Sequence, residues 1–238
     1  ESAIVGAGVG AAMAGLRPIV ELMTINFSLL AMDQIVNHAA KLRYMSGGQL
    51  SVPLMIRTVT GAGASVAATH SQSFEGWYAS VPGLQVVVPS SPGDVLGLFR
   101  ACRELEDPVI FVEHILLYGT RGEAPDADYK IPLGQAAVAR AGNDVTIISY
   151  SRMAQVSLAA AEQLAGQGID AEVVDLRTLR PLDMDTVVES VKKTHRALVV
   201  EETSKMGGFA GEVSSQIQEA AFDFLDTPVR RLAGVEAP

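Results

Sequence analysis

Four histidines, a lone cysteine and one glycine-rich loop are the residues whose types invite chemistry in this chain. His38, His70, His114 and His195 stand too far apart in sequence to make a local metal motif. His70 has the most suggestive setting. It follows the loop Thr60-Gly61-Ala62-Gly63-Ala64 and begins a polar run, His70-Ser71-Gln72-Ser73, expected to open a helix. Side chains at such junctions commonly face a cleft. Two readings stay open: an imidazole directed into a cleft for acid-base work, or one that only hydrogen-bonds the helix start. The glycine loop precedes no convincing helix and lacks a matching acidic residue, which argues against a phosphate cradle. P-loop, HExxH, GxSxG and GxGxxG motifs are absent. Cys102 falls in the apolar pattern Val95, Leu98, Phe99, Cys102 and reads as core filler, not a nucleophile. The run Asp175-Leu176-Arg177-Thr178-Leu179-Arg180-Pro181-Leu182 reads as a strand end followed by a basic turn, a place for salt bridges or solvated charge before a ligand site.

These residues need elements to position them. Residues 3–16 are rich in Gly and Ala, including Gly6, Gly8, Gly10 and Gly15. Each internal Gly costs a helix about 1 kcal/mol relative to Ala, so close packing at a subunit or cofactor surface is expected to offset it. Residues 19–23 read as a strand. Leu29, Met32, Ile35, Val36, Ala39, Ala40 and Arg43 recur at helical spacing, which predicts a helix over 28–45 ended by Gly47-Gly48. Strand composition returns at 52–59, 85–89 and 109–113, with a helix at 93–103. Residues 118–133 lapse into Gly, Pro, Asp and Glu, the chemistry of a linker. Beyond them strands at 145–149, 171–175, 197–201 and 229–232 alternate with helices at 153–167, 184–194 and 211–221. This alternation predicts an α/β fold of two domains, each a mainly parallel sheet flanked by helices. The expected division is 1–124, a linker at 125–140, and 141–238.

The chain has 238 residues, 48% of them hydrophobic and 19% charged, enough for two cores. No apolar run reaches the ~18 to 20 residues of a membrane span, and no signal peptide is visible at the start, so a soluble protein is expected. A net charge of −9 without a Lys/Arg cluster argues against nucleic acid as a partner. One cysteine excludes an internal disulfide framework and multi-cysteine metal sites, which fits a reducing compartment.

Several stretches together resemble one family. They are residues 9–21 (Val-Gly-Ala-Ala-Met-Ala-Gly-Leu-Arg-Pro-Ile-Val-Glu), Tyr44-Met45-Ser46-Gly47-Gly48, His70-Ser71-Gln72-Ser73, and residues 81–89 around Pro82-Gly83-Leu84. In the second half residues 173–181 and the stretch from Lys193-Thr194-His195-Arg196 to Glu201-Glu202 match as well. The family is the beta subunit of thiamine-diphosphate-dependent 2-oxoacid dehydrogenases, which are transketolase-like. Glu113-His114-Ile115-Leu116-Leu117-Tyr118 and Ser149-Tyr150-Ser151-Arg152-Met153 look most like pyruvate dehydrogenase beta subunits of cyanobacteria and plastids.

The resemblance implies that 1–124 is a pyrimidine-binding domain and 141–238 a transketolase C-terminal-like domain, with the family's first and last residues lacking from this chain. It implies that thiamine diphosphate spans an interface, its diphosphate held through Mg²⁺ by an alpha subunit. Glu1 matches the family's glutamate that hydrogen-bonds the pyrimidine ring nitrogen and promotes the imino form of the exocyclic amine. Met23 and Phe27 match positions that pack against the pyrimidine, and His70 an active-site histidine facing the substrate and the acylation step. No residue of this chain is assigned to a metal. Implied partners are the alpha subunit, two alpha with two beta, and a lipoyl acyltransferase core. The implied reaction is oxidative decarboxylation of a 2-oxoacid, pyruvate in the first place, with acetyl transfer to a lipoyl group. The setting is bacterial cytoplasm, or a plastid or mitochondrial matrix in a eukaryote. The acetoin dehydrogenase beta subunit is close enough to remain open, the branched-chain enzyme shares the His-Ser-Gln-Ser run, and a non-catalytic docking subunit is the alternative of another class. Transketolase and deoxyxylulose-phosphate synthase usually carry both cofactor halves on one chain, for which this one is too short.

Overall fold

Val109–His114 is buried along its whole length, and a run covered on both faces belongs at the centre of a parallel sheet flanked by helices. The computed structural model describes residues 1–237, Gly63 by its backbone alone; Pro238, within the expected second domain, lies outside the described residues. The chain divides into two units, residues 1–133 with Leu179–Pro181, and residues 134–178 with 182–238.

In the first unit the order is α1 (Ser2–Met13), β1 (Ile19–Leu22), a 3₁₀ turn (Ile25–Ala31), a π-helical turn (Gln34–Ala39), α2 (Leu42–Met45), β2 (Met55–Thr60), α3 (Glu75–Ala79), β3 (Gln85–Val87), α4 (Pro92–Cys102) and β4 (Val109–His114). In the second come β5 (Ala137–Arg140), β6 (Val145–Ser149), α5 (Ser151–Ala165), β7 (Ala171–Asp175), α6 (Met184–Thr194), β9 (Ala197–Ser204), α7 (Ala210–Ala221) and β10 (Arg230–Gly234). Between β7 and α6 lies β8 (Thr178–Arg180), which completes the first sheet. The strand orders are β1-β2-β4-β3-β8 and β10-β9-β6-β7-β5. Pairings β1/β2, β2/β4 and β3/β4 are parallel in one sheet, and β10/β9, β6/β9 and β6/β7 in the other; β5 runs antiparallel to β7. This is the α/β class that the alternation predicts.

Local rules explain most boundaries. Ser91 caps α4 by accepting from the Asp94 amide at 3.1 Å, and Pro92 follows at the first helical position, where its missing N–H costs nothing. The far end of α4 is held by Arg17, whose guanidinium donates to Arg103 O at 3.2 Å and Leu105 O at 2.8 Å. Asp183 caps α6 by accepting from the Thr186 amide at 3.1 Å. The cores follow: Met55, Val87, Leu98, Phe111 and Cys102 in the first unit, and Ile147, Ala161, Val173 and Val200 in the second. Cys102 is thus core, and burial pushes its thiol up to about 12.

Four segments depart from the sequence pattern. The helix expected over 28–45 is broken into a 3₁₀, a π and a short α turn, although its apolar spacing is helical. The end of the π turn packs against the loop at Gly83: a Cβ there would lie 2.1 Å from Ala40 O, so only glycine lets that loop rest on the Ala40 carbonyl. The stretch read as linker packs on the first unit up to Leu133: Ile131 is 3% exposed, and its amide donates to Gly97 O at 3.2 Å. Ala137–Arg140 is an edge strand. Thr178–Arg180, read as a basic turn, is also a strand, and Arg180 donates to Ala79 O at 3.0 Å. Among the described residues no helix is long and apolar enough to cross a membrane.

Candidate functional site

In open parallel sheets the crevice beyond the carboxyl ends of the strands is where ligands sit. In the first unit β1 ends at Leu22 and leads directly into Met23 and the 3₁₀ turn that bears Phe27, while β2 ends at Thr60 and leads into the loop that bears His70. Helix α1 reaches the same segment. Its buried face is Val5, Gly8, Val9 and Ala12, and a Cβ on Gly8 would meet Val20 at 2.9 Å and Leu54 at 3.0 Å, so glycine sets how closely the helix lies on the sheet. Glu1 stands at its start, its carbonyl accepting from the Val5 amide at 2.9 Å, and the next residue, Ser2, donates to Leu30 O within the 3₁₀ turn.

The residues singled out by resemblance therefore fall on three neighbouring pieces of chain. Phe27 and His70 meet edge to face, with ring centroids 5.2 Å apart at 87°. Met23 is 65% exposed, unusual for a large apolar side chain, and Glu1 is partly exposed. His70 itself is exposed, and its Nδ1 shares a hydrogen bond with Thr69 Oγ1 at 2.9 Å.

The loop that carries His70 is built against conformational preference. Gly61 has φ +142°, Ser65 φ +56° and Ala67 φ +69° with ψ 169°, the last a region that belongs to glycine. A Cβ on Gly61 would lie 3.0 Å from the ring of His114, so this glycine lets the loop pass a buried imidazole. The loop is tied down at several points. The Val66 amide donates to Ser71 Oγ at 2.8 Å, the His70 amide to Ala67 O at 3.1 Å, and Asn26 Nδ2 to Gln72 Oε1 at 2.6 Å. Thr60 Oγ1 donates to the buried Glu75 carboxylate at 3.1 Å.

Behind these residues, Glu113 accepts two hydrogen bonds from Arg57, at 2.8 and 2.7 Å, and one from the Tyr118 hydroxyl at 2.7 Å. Burial and the adjacent Glu113 carboxylate push the Tyr118 hydroxyl above its ordinary value, so it stays a donor. Glu113 and Tyr118 of this network line a cavity of about 300 Å³ together with Pro89, Pro92 and Val95. None of Glu1, Met23, Phe27 and His70 lines that cavity. The remaining histidines sit elsewhere. His38 pairs with Asp33 at 3.3 Å on the surface, and His195 Nδ1 donates to Phe224 O at 2.8 Å at the end of α6. Among the described residues no three His, Cys, Asp or Glu side chains converge as a metal site. Sequence reasoning passed over Asn26, Glu75 and Arg57, polar residues whose partners Gln72, Thr60 and Glu113 lie well away in sequence.

Met23, Phe27 and His70 thus lie on segments that follow the carboxyl ends of β1 and β2, with the Phe27 and His70 rings in contact, and Glu1 begins the neighbouring helix. Residues 1–120 match the family model for the transketolase pyrimidine binding domain, and residues 134–238 that for the transketolase C-terminal domain. Over its whole length the chain is 48% identical to pyruvate dehydrogenase E1 component subunit beta-1, mitochondrial, of Arabidopsis thaliana, spanning 67% of that protein. It is 47% identical to the pyruvate dehydrogenase E1 component subunit beta of Rhizobium meliloti, spanning 52% of it. It is 48% identical to acetoin:2,6-dichlorophenolindophenol oxidoreductase subunit beta of Cupriavidus necator, spanning 70%. A solved structure described as a split gene transketolase, inactive beta4 tetramer, superposes with a TM-score of 0.78 at 25% identity, covering 99% of this chain and 72% of that one.

Proposed function

This chain belongs to the transketolase-like family of pyruvate dehydrogenase E1 beta subunits, and on that premise we propose that it supplies the pyrimidine half of a thiamine diphosphate site in the oxidative decarboxylation of pyruvate. The observation that carries the proposal is the meeting of the Phe27 and His70 rings, with Met23 exposed at the end of β1 and Glu1 at the start of the neighbouring helix α1. When bound, thiamine diphosphate supplies a carbon nucleophile that protein side chains lack. Glu1 would hold a proton at the pyrimidine ring nitrogen. Met23 and Phe27 would cover the ring and exclude water from it. His70, exposed and in contact with Phe27, would orient the acyl group or move a proton during its transfer to a lipoyl group.

The site so described is half of one. An alpha subunit would hold the diphosphate and its Mg²⁺, in an assembly of two alpha and two beta chains, and a lipoyl acyltransferase core would accept the acetyl group. The location would be bacterial cytoplasm or a eukaryotic organelle.

A second reading rests on one fact. The acetoin enzyme's beta subunit is as similar to this chain as the plant pyruvate dehydrogenase subunit, 48% in both cases. Co-expression of the full-length chain with its alpha subunit, followed by reduction of dichlorophenolindophenol with pyruvate, acetoin and branched-chain 2-oxoacids in turn, decides between them. The proposal expects thiamine-dependent turnover with pyruvate foremost. Turnover with acetoin alone would move the assignment, and an assembled complex without thiamine-dependent turnover would leave a docking role.

A further inference from the structure

The contact between Phe27 and His70 is not set by the sheet. β1 and β2 pair in register only as far as Leu22 with Thr58, after which one chain enters a 3₁₀ turn and the other a long loop. The edge-to-face ring contact is weak and allows many orientations. Something else has to hold the two rings in register.

Asn26 is suited to it. It precedes Phe27, it is 7% exposed, and both ends of its amide are engaged. Thr24 Oγ1 donates to Asn26 Oδ1 at 3.1 Å, which turns Nδ2 toward the loop, where it donates to Gln72 Oε1 at 2.6 Å. Gln72 lies two residues after His70, and its carbonyl stands 3.5 Å from Thr60 Oγ1, whose hydrogen goes to Glu75 at 3.1 Å. The amide pair therefore joins the residue next to Phe27 to the residue two beyond His70.

We propose that Asn26 and Gln72 are positioning residues, an amide clamp that holds the His70 imidazole against Phe27 and so toward the substrate. This rests on the role given to His70 under the proposed function. Neither residue needs to touch substrate. Gln72 is exposed, so replacing it should leave the core intact.

The test uses the full-length chain assembled with its alpha subunit, with ¹³C-labelled histidine. Gln72→Met keeps the length and removes the acceptor; Gln72→Glu keeps an acceptor and strengthens it by charge. The His70 Cε1–H resonance, identified by its loss in His70→Ala, is read without cofactor. It is expected to lose the ring-current shift from Phe27 in Gln72→Met and regain it in Gln72→Glu. Turnover coupled to lipoyl acylation should fall about three- to tenfold in Gln72→Met, the range set by one net hydrogen bond, and recover in Gln72→Glu. Combined with His70→Ala, Gln72→Met should add no further loss. An unmoved resonance overturns the clamp whatever the kinetics. A moved resonance with normal turnover in His70→Ala supports the clamp and sinks the role given to the histidine instead.

Discussion

Ala67 offers the sharpest test of how the loop carrying His70 is held. Its backbone sits at φ +69° and ψ 169°, a region nearly reserved to glycine, and its carbonyl accepts the His70 amide at 3.1 Å. A residue kept in such a region stores about 1 to 3 kcal/mol. Ala67→Gly releases that strain but adds unfolded-state freedom worth about 0.4 to 1 kcal/mol. The balance favours the variant by about 1 kcal/mol, which for a chain of this size raises Tm by roughly 2 to 4 °C. The same freedom loosens the turn Ala68–His70, so turnover should fall while stability rises. Ala67→Val, β-branched at positive φ, should do the opposite to stability and lower Tm. Thermal unfolding of both variants, with turnover per assembled site, checks the pair. A lower Tm for Ala67→Gly together with a tolerated Ala67→Val would refute the strain on which the reasoning rests.

Glu1→Gln should slow exchange of the thiazolium proton and every later step, a loss of about 10² to 10⁴-fold, whereas His70→Ala should leave that exchange intact and slow only acylation of the lipoyl group; equal slowing of exchange in both would undo this division of roles. In the second unit, burial alone would raise the Asp183 carboxyl, but hydrogen bonds from Thr186 and from the Ala136 and Asp185 amides hold it below its ordinary value. Its stabilising contribution is therefore present above the unfolded carboxyl value, near 3.8, and is lost as pH falls through the folded one. Asp183→Ala should cost about 0.5 to 2 kcal/mol at pH 7 and progressively less toward pH 3, as read by denaturant titration at each pH; a constant deficit would contradict the ionised cap. Cys102, with its thiol pushed up to about 12, should resist maleimide at pH 8 until the chain unfolds, and fast labelling of the folded protein would show that the core breathes there.

Periodicity carries the scaffold because the scaffold is locally consistent. α4 and α6 begin at Ser91 and Asp183 with side-chain caps, and β7 is buried from Ala171 to Asp175; α6 and β7 have the bounds expected from the sequence, and α4 is shifted by a single residue. Most of the failures depend on partners distant in sequence. The helical pattern over 28–45 is genuine, but Ala40 must make room for the loop at Gly83, and Ser28 Oγ, donating to Ile25 O at 2.5 Å, competes for a helix carbonyl. Thr178–Arg180 is too short to announce itself as a strand, and it becomes one by adding to the sheet beside Gln85–Val87, far earlier in the chain. The site divides in the same way. His70 stands out in the sequence because histidine after a glycine loop is a chemical signal. Asn26 reads as one polar residue among apolar ones, and its role depends on Gln72, 46 residues away.

In the first unit the non-glycine residues with positive φ, Ser65 and Ala67, both lie in the loop that carries His70. Natural sequences follow their propensities nearly everywhere and depart from them where function requires it. Here the loop from Gly61 to Gln72 gathers three positive φ values, including one alanine in glycine's region, within ten residues of the imidazole. A histidine that only satisfied a helix start would not require this, since α4 and α6 achieve their caps with unstrained Ser and Asp. His70, moreover, ends a separate 3₁₀ turn, with α3 beginning only at Glu75. The strain instead holds an exposed ring at a fixed place against Phe27, which no gain in burial explains. A costly conformation that yields exposure and orientation, not packing, is what acid-base or positioning chemistry needs, and it favours the cleft-facing reading of His70 over the capping one.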